Sequence, residues 1–429
     1  MALPDRIEVV PLNKAPQVAV SVPGSKSITN RVLLLAALAG RTTRITGALW
    51  SEDTQVMVAA LRTLGIRIVV DPDPADACNR TLVVTGVGGV PDAGGPNPID
   101  IFVGNAGTAA RFLAAYVCLG TGVYRLHGVD RMHERPQAAL FDALRQLGYR
   151  IDSPNDRLPA TIHGGGRRPG RCRVSIAHSS QFASALLLCA DHGGWEVDIV
   201  DEPGGDGDES PYVAMTSALV ENFANGNGEF VVEPDASSGS YFWGAGWLLK
   251  QRFGLAELPV TVRDWPTTPW QIDARFPQFL PPPGQVSRAS DLGDSIMTAI
   301  MLASFTDHAV DFNDLGRLRV QECERVKALY TELTRCGARV IERGDTLAFI
   351  PNALHAATVE TYHDHRMAMC FGMLGLVVPG IRIINPACVG KTFPNFFFKL
   401  AAPPPYGLGV TLIDVATDRV LPLDDGLIA

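Results

Sequence analysis

The sequence predicts an α/β protein with two domains, and three observations support this prediction. The chain has 429 residues, more than one domain usually holds. Short runs rich in β-branched residues alternate with helical segments that end in glycine, in a repeated βαβαββ order. Six small or polar helix starts, each followed by an apolar helix, recur about 55–80 residues apart. We therefore expect an internally repeated fold in which each start presents backbone N–H groups and the apolar helix behind it is buried.

The first polar start is the stretch VPGSKSITNR, residues 22–31. Pro-Gly ends the preceding segment, and the apolar helix of residues 32–39 ends at Gly40. Hydroxyl side chains cap N–H groups at a helix start, where the helix dipole places about half a positive charge. With Lys26 and Arg31 on its first turns, this helix start is suited to a phosphate or a carboxylate. The alternative is a capped core helix whose Lys26 and Arg31 side chains face solvent.

The remaining elements follow in chain order. The other five polar starts are GNAGTAAR at 104–111, SSQF at 179–182, DASSGS at 235–240, GDS at 293–295 and DHR at 364–366. Amphipathic helices are predicted at 51–65, 138–148 and 322–337, and strands at 43–46, 67–70, 81–84, 197–200, 229–232 and 338–341. Residues 401–429 are expected to be an appended tail, to which the sequence assigns no role.

Composition and charge exclude several classes of function. A net charge of −8 without any basic run argues against a nucleic-acid partner. The longest apolar run, around residues 367–378, is too short to span a bilayer, and the N-terminus lacks the apolar core of a secretion signal. Eight cysteines without a CxxC pair indicate neither a zinc site nor a disulfide framework. We therefore expect a cytoplasmic protein without a nucleic-acid partner, membrane contact or a zinc site.

Eight motifs in order resemble the enolpyruvyl transferase family, in its 5-enolpyruvylshikimate-3-phosphate (EPSP) synthase branch. They are PGSKSITNR, GNAGTAARF, RMHERP, SSQF, DASSGSYF, the E-x-x-R pattern at 322–325, DHRMAM and CVGKTFP. The sister branch that acts on UDP-N-acetylglucosamine typically has a cysteine in the stretch corresponding to residues 128–135, and this chain has none there. The EPSP synthase branch is therefore favoured over its sister.

The resemblance covers roughly residues 17–400 and implies a specific architecture. It implies an α/β (α+β) fold with two domains in an inside-out barrel arrangement, built from six βαβαββ repeats, three in each domain. It also implies that the chain crosses twice between the domains. Residues 1–22 and 234–400 would then form one domain and residues 23–233 the other. A monomer is expected.

The resemblance further implies carboxyvinyl transfer from phosphoenolpyruvate to a hydroxyl of 3-phosphoshikimate, with release of phosphate through a tetrahedral intermediate. Phosphoenolpyruvate carries a phosphate and a carboxylate, which several fixed cations would bind. By resemblance its site comprises Lys26, Gly107, Arg135, Gln181, Arg325, Arg366 and Lys391. Asp294 and Glu322 would transfer protons, with Lys26 assisting. No metal or organic cofactor is implied.

The acceptor side departs from the family pattern at two positions. By resemblance the acceptor site comprises Ser27, Arg31, Ser179, Ser180, Gln181, Tyr212 and Asp294, together with the changed positions Glu209 and Gln321. Glu209 replaces a usual hydroxyl residue, and Gln321 replaces a common lysine. A carboxylate about 4 Å from a phosphate costs on the order of 1–4 kcal/mol per charge pair, depending on exposure. The two changes together would weaken the binding of a phosphorylated acceptor.

Several interpretations stay open at this point. In the first, Glu209 turns outward, Ser210 supplies the hydroxyl, Arg317 or Arg319 replaces the lysine, and the acceptor is 3-phosphoshikimate. In the second, the acceptor is a non-phosphorylated shikimate-like ring in specialised metabolism. Elimination from such a ring and a catalytically silent paralogue are two further alternatives. The complete set of predicted cations counts against elimination, and the retained proton-transfer residues count against a silent protein.

Overall fold

Each polar start that the sequence predicts leads into an α-helix with a buried body. The computed structural model describes residues 3–74, 76–89, 95, 97–200, 210–424 and 428. Its α-helices are α1 (Lys26–Leu38), α2 (Glu52–Thr63), α3 (Gly107–Cys118), α4 (Asp130–Glu134), α5 (Ala138–Gln146), α6 (Ser180–Gly193), α7 (Ser210–Asn225), α8 (Ala236–Phe253), α9 (Ile296–Leu302), α10 (Arg325–Arg335), α11 (His365–Leu374) and α12 (Phe396–Ala401). Short 3₁₀ helices span Ile272–Phe279, Ala303–Phe305, Leu315–Val320 and Pro386–Lys391.

The strands include all six that the β-branched runs predict, with slightly different ends. They are β1 (Arg6–Val10), β2 (Val18–Val20), β3 (Thr42–Leu49), β4 (Arg67–Pro72), β5 (Asn79–Thr85), β6 (Ile99–Phe102), β7 (Val123–His127), β8 (Arg150–Asp152), β9 (Ala160–His163), β10 (Gly170–Ser175), β11 (Trp195–Val200), β12 (Glu229–Val231), β13 (Val260–Val262), β14 (Gln285–Ser287), β15 (Val310–Asn313), β16 (Arg339–Arg343), β17 (Thr346–Ile350), β18 (Ala357–Val359), β19 (Ile381–Ile384), β20 (Thr411–Asp414) and β21 (Arg419–Val420). The fold is therefore mixed α/β.

The helix predicted at 322–337 begins later than expected, at Arg325. The Glu324 side chain accepts a hydrogen bond from the Lys327 backbone N–H and so caps the helix at that point. Glu322 therefore lies in the turn before α10 and not on the helix. Because Glu322 precedes the helix, the direction of its side chain is not set by the helical geometry of α10.

The chain divides into two compact units. The terminal unit comprises Met1–Pro23, Pro234–Thr267 and Ile272–Ala429, and the inner unit comprises Gly24–Glu233 and Thr268–Gln271. Each unit has its own apolar core. In the inner unit α1, α3 and α6 pack against one another, and in the terminal unit α8, α9 and α11 do so. These six helices are the ones that follow the polar starts, and they are buried because they are apolar nearly all round.

Three four-stranded sheets repeat one pairing pattern. Their strand orders are β12-β3-β5-β4 and β6-β7-β9-β8 in the inner unit and β14-β15-β17-β16 in the terminal unit. In each sheet the first pair is parallel and the next two pairs are antiparallel. The same order of strands therefore recurs along the described chain.

The terminal unit also contains a five-stranded sheet, β18-β19-β1-β20-β21. Its last two strands come from the segment after residue 401, for which the sequence suggests no role. β20 pairs antiparallel with β1, and Val410 and Leu412 are buried in the core of the unit. The two-stranded sheets β10-β11 and β13-β2 complete the sheets of the described chain.

Candidate active site

The terminal unit brings predicted residues together around the first residue of α10, Arg325. Its guanidinium is buried and donates to both oxygens of Asp364, from Nε at 2.6 Å and from Nη2 at 3.2 Å. Nη2 also donates to Glu322 Oε2 at 2.8 Å, and Nη1 donates to Gln321 Oε1. Burial alone would lower the pKa of Arg325, but these carboxylates outweigh it and raise the pKa well above its usual value. Arg325 therefore stays charged, with its orientation fixed by three neighbours.

Asp294 lies against three guanidinium groups in the same unit. Its carboxylate is 3.0 Å from Arg366 Nη2, 3.2 Å from Arg288 Nη2 and 4.0 Å from Arg325 Nη1. Burial favours the neutral form of Asp294, but the charges of Arg366, Arg288 and Arg325 outweigh it and hold the pKa well below its usual value. The carboxylate of Asp294 is therefore charged at neutral pH and able to accept a proton, not to donate one.

Arg366 and Lys391 supply two further buried cations. Arg366 lies in the first turn of α11, and its pKa is raised well above its usual value because the charge of Asp294, followed by smaller contributions, outweighs burial. Lys391 ends the 3₁₀ helix Pro386–Lys391 and is also buried. A buried cation is costly unless an anion lies close to it. The cluster of Asp294, Glu322, Arg325 and Arg366 is thus suited to exchange internal ion pairs for contacts with an anionic ligand.

In the inner unit, the start of α1 carries Lys26 and Ser27. Ser25 is the N-cap residue, but its side chain makes no capping hydrogen bond, contrary to the expectation for a hydroxyl at this position. Its backbone N–H donates instead to the carbonyl of Glu233 at 2.7 Å. Lys26 Nζ lies 3.1 Å from Asp53 Oδ2, whose side chain is nearly buried. Ser25 therefore does not cap the first N–H groups of α1, and Lys26 is the first residue of this helix.

Arg31 is buried one turn further along α1, and it donates to two hydroxyls and a backbone carbonyl. Its Nε donates to Thr216 Oγ1 at 2.8 Å, its Nη2 to Ser184 Oγ at 3.0 Å and its Nη1 to the carbonyl of Ser27 at 3.0 Å. The Thr216 hydroxyl in turn donates to the carbonyl of Tyr212 at 2.8 Å. Two predicted acceptor residues, Arg31 and Tyr212, are thus connected through one hydroxyl.

Gly107 and Arg135 are in close contact at the start of α3. A Cβ atom at Gly107 would lie 2.6 Å from Arg135 Nη2 and 2.7 Å from Arg111 Nη1, so a side chain here would displace both guanidinium groups. Arg135 follows the short helix α4, is nearly buried and donates to the carbonyl of Asn105 at 3.1 Å. The absence of a side chain at Gly107 therefore lets two guanidinium groups approach the helix start in this arrangement.

The start of α6 carries Ser179, Ser180 and Gln181. Ser179 Oγ accepts a hydrogen bond from the Gln181 backbone N–H at 3.2 Å and so caps the helix. Gln181 Nε2 donates to Thr108 Oγ1 on α3 at 3.3 Å, which joins this start to that of α3. Glu209, the other changed acceptor position, lies outside the described residues.

The predicted residues therefore fall into two sets, one in each unit, and sequence reasoning missed some of their partners. Asp364 stands in the DHRMAM motif and could have been predicted, because an acidic residue before a helix commonly caps it. It accepts a hydrogen bond from the Arg366 N–H at 2.9 Å. Arg288 lies in an irregular segment after β14, where no local pattern marks it. Asp53 lies in a helix already predicted, but its pairing with Lys26 is a long-range contact.

Comparisons with known proteins identify the family. The family model described as EPSP synthase (3-phosphoshikimate 1-carboxyvinyltransferase) matches residues 13–225 and 283–400. A 3-phosphoshikimate 1-carboxyvinyltransferase of Rhizobium leguminosarum bv. trifolii is 36% identical, with 95% of this chain and 98% of that protein covered. The enzyme of that name from Pseudomonas savastanoi pv. phaseolicola is 37% identical, with 92% and 97% covered.

Solved structures agree on the fold. The EPSP synthase of Acinetobacter baumannii has a TM-score of 0.70 at 21% identity, with 95% of this chain and 100% of that chain covered. The enolpyruvyl transferase NikO of Streptomyces tendae has a TM-score of 0.67 at 16% identity, with 98% and 100% covered. No described helix is long and apolar enough to cross a membrane. With a family model that matches well over half of its length, the chain belongs to the EPSP synthase family of carboxyvinyltransferases.

Proposed function

We propose that this protein transfers the carboxyvinyl group of phosphoenolpyruvate to a hydroxyl of 3-phosphoshikimate and releases phosphate. The observation that carries the proposal is the cluster of Asp294, Glu322, Arg325 and Arg366, which gathers predicted cations and proton-transfer groups in a chain of this family. Relatives of similar length that are named for this reaction support the choice of substrates.

Phosphoenolpyruvate is bound, in this proposal, by the residues that the family resemblance names. Arg325, Arg366 and Lys391 come from the terminal unit, where all three are buried and the charges of both arginines are maintained by carboxylates. Lys26, Arg135, Gln181 and the backbone at Gly107 come from the inner unit. Arginine suits a phosphate or a carboxylate because its planar fork donates two parallel hydrogen bonds.

Asp294 and Glu322 then move the protons. The acceptor hydroxyl loses its proton to Asp294 as its oxygen attacks the carbon that bears the phosphate. Once the anionic substrate takes the place of Glu322 at Arg325, Glu322 in its protonated form donates a proton to the terminal vinyl carbon, with Lys26 assisting, and the tetrahedral intermediate forms. The Glu322 carboxylate then takes a proton back from the new methyl group, and phosphate leaves with the proton that Asp294 had accepted, which gives the enolpyruvyl ether and restores both groups. An anion at Arg366 and Arg325 competes for the charges that hold the pKa of Asp294 low, so bound phosphoenolpyruvate raises the basicity of this carboxylate.

The acceptor is bound, in this proposal, by the residues that the family resemblance names, which are Ser27, Arg31, Ser179, Ser180, Gln181, Tyr212, Asp294 and Gln321. Arg31 is a buried cation that two hydroxyls and a carbonyl hold in one orientation, and a fixed guanidinium favours a phosphorylated acceptor. Gln321 accepts a hydrogen bond from Arg325 and so acts on the phosphoenolpyruvate side as well.

The decisive experiment measures phosphate release from phosphoenolpyruvate with 3-phosphoshikimate or with shikimate as the acceptor. We expect turnover with the phosphorylated ring and at least a hundredfold lower kcat/KM with shikimate, because the phosphate contacts of the acceptor are lost (about 2.7 kcal/mol). Turnover with shikimate alone would show an acceptor site rebuilt around Glu209 and Gln321. Turnover with neither would overturn the proposal.

We also propose the finer architecture that the family resemblance implies. Three sheets with the same pairing pattern, together with three packed helices in each unit, support six βαβαββ repeats in an inside-out barrel. Division near residues 22 and 234 accords with the two units. Each unit has its own core, which supports a monomer, and light scattering in solution tests this. A cytoplasmic location is also part of the proposal, and none of the eight cysteines, all of them among the described residues, forms a disulfide bond.

A further inference from the structure

In the terminal unit, the turn from Glu360 to Asp364 contacts the segments that carry three of the predicted cations. At its end, Asp364 accepts hydrogen bonds from Arg325 Nε at 2.6 Å and from the Arg366 backbone N–H at 2.9 Å. One residue earlier, His363 Nδ1 lies 2.9 Å from Asn385 Nδ2, and Asn385 is the N-cap of the 3₁₀ helix that ends at Lys391. The turn therefore contacts the side chain of Arg325, the backbone of Arg366 and the first residue of the segment that ends at Lys391.

The backbone of this turn is unfavourable in isolation. Tyr362 and His363 have φ angles of 54° and 55°, so two successive residues other than glycine adopt the left-handed conformation. L-residues with a Cβ atom rarely take this conformation, and such backbone persists only where surrounding contacts hold it. Asn385, on the other side of the contact with His363, is also left-handed, with a φ of 52°. The turn must consequently be held by specific interactions.

Glu332 provides those interactions from the buried face of α10. Its side chain is fully buried, and Oε1 accepts a hydrogen bond from the Tyr362 hydroxyl at 2.8 Å. Oε2 accepts from the Glu360 backbone N–H at 3.2 Å and from Arg335 Nη1 at 2.8 Å. Burial, and then the hydrogen bond to Glu332, raise the pKa of Tyr362 to about 12. The hydroxyl therefore stays protonated and donates a hydrogen bond to the Glu332 carboxylate.

We propose that Glu332 and Tyr362 form a latch that positions Arg325, Arg366 and Lys391 for phosphoenolpyruvate, an inference that rests on the proposed function for the identity of the ligand. Glu332 and Tyr362 are positioning residues, because they act through the turn and through Asp364. The latch is anchored in α10, whose first residue is Arg325 itself, so one helix carries both the cation and the group that fixes its partner.

A purely structural role for Glu332 predicts a different result from a positioning role. A structural residue would lower stability and the amount of active enzyme without changing the KM for either substrate. If the latch positions Arg325, Arg366 and Lys391, its loss should change the KM for phosphoenolpyruvate and leave the KM for the acceptor unchanged. Tyr362→Phe separates the two roles because it removes one hydroxyl from a side chain that is about one-third exposed, at 36%, and leaves the ring in place.

The experiment compares Tyr362→Phe with Tyr406→Phe, which removes a hydroxyl from a 69% exposed ring in the same unit. We expect the KM for phosphoenolpyruvate to rise about tenfold in Tyr362→Phe, with the KM for 3-phosphoshikimate within about twofold of the wild type, because a hydrogen bond to a charged group is lost. Amide hydrogen exchange at residues 361–366 should accelerate about tenfold in the same variant. Tyr406→Phe should match the wild type in all three measurements.

Glu332→Gln is the second variant. Its one amide oxygen can still accept from Tyr362, but the amide NH2 that replaces Oε2 cannot accept from the Glu360 N–H or from Arg335. A rise in the KM for phosphoenolpyruvate at least as large as in Tyr362→Phe is the expected result. Unchanged exchange at 361–366 in Tyr362→Phe, or equal rises in both KM values, would overturn the latch. If the wild-type enzyme releases no phosphate with any acceptor, the proposed function fails, and the exchange measurement alone then decides whether the latch exists.

Discussion

The two units hold their functional cations in different ways. In the terminal unit, Arg325 and Arg366 are paired with carboxylates, chiefly those of Asp364 and Asp294. In the inner unit, two hydroxyls and a backbone carbonyl orient Arg31. A carboxylate raises the pKa of its partner and must be released when an anion binds, whereas a neutral acceptor orients the cation without that exchange. We therefore interpret these described contacts of Arg31 as ones that an anion need not displace, and the terminal set as a cluster that rearranges with its ligand.

The largest effect that this comparison predicts is on stability. Arg325→Met leaves the buried carboxylates of Asp364 and Glu322 without their main partner, so the free energy of unfolding should fall by about 3–5 kcal/mol. Arg31→Met, the matched change in the inner unit, leaves buried hydroxyls unsatisfied and should cost about 1–3 kcal/mol. Urea unfolding at neutral pH measures both values. An equal loss in the two variants would remove the distinction between the units.

Lys26, also in the inner unit, is paired with the carboxylate of Asp53. In the proposed mechanism it contacts phosphoenolpyruvate and assists proton transfer, so Lys26→Met should lower kcat at least about a hundredfold, the usual loss when a group that stabilises transition-state charge is removed. The protein should stay folded, since the Lys26 side chain is partly exposed and lies outside the apolar core. Steady-state phosphate release and circular dichroism measure the two properties.

The matched control is Lys250→Met, which changes a lysine outside the predicted site, in the last turn of α8. We expect wild-type kcat in that variant. Residual activity of Lys26→Met within tenfold of the wild type would exclude Lys26 from the chemistry, and its pair with Asp53 would then be purely structural.

The pH dependence of stability gives the next smaller effect. Because the pKa of Asp294 in the folded protein is held below its unfolded value of about 3.9, the unfolded state binds more protons in acid. The carboxylate thus contributes stability that is fully present above about pH 5 and is lost as the pH falls toward the folded pKa. Asp294→Asn should lack this contribution, on the order of 2 kcal/mol, and so should lose less stability than the wild type between about pH 5 and pH 3.

A matched control comes from the surface of the inner unit. Asp198 pairs with Arg171 at 2.7 Å, and hydrogen bonds from Arg171 lower its pKa too, but both side chains are exposed. Solvent screens that pair, so Asp198→Asn should follow the wild-type pH profile closely. Urea midpoints across the same acid range test both variants. A wild-type slope in Asp294→Asn would contradict the assigned direction of its pKa shift.

How far the sequence predicts this molecule depends on whether the signal is local. The six helix starts follow from small and polar residues before apolar runs, and the three packed helices in each unit begin there. The pairing of Asp294 with Arg288 is different, because Arg288 lies in an irregular segment and its contact depends on the tertiary fold. The hydrogen bond that Arg325 donates to Gln321 could not be predicted from the sequence either, where Gln321 is only a departure from the family pattern.

The smallest predicted effect concerns the helix starts themselves. In the terminal unit Asp235 caps α8 through the Ser238 N–H at 2.8 Å, whereas Ser25 makes no capping bond at α1. Asp235→Ala should lower the free energy of unfolding by about 1 kcal/mol, and Ser25→Ala should change it by less than about 0.5 kcal/mol. Urea unfolding of the two variants decides this. A loss in Ser25→Ala as large as that in Asp235→Ala would show a cap at α1, and the start of that helix would then be less available to an anion than the inner set requires.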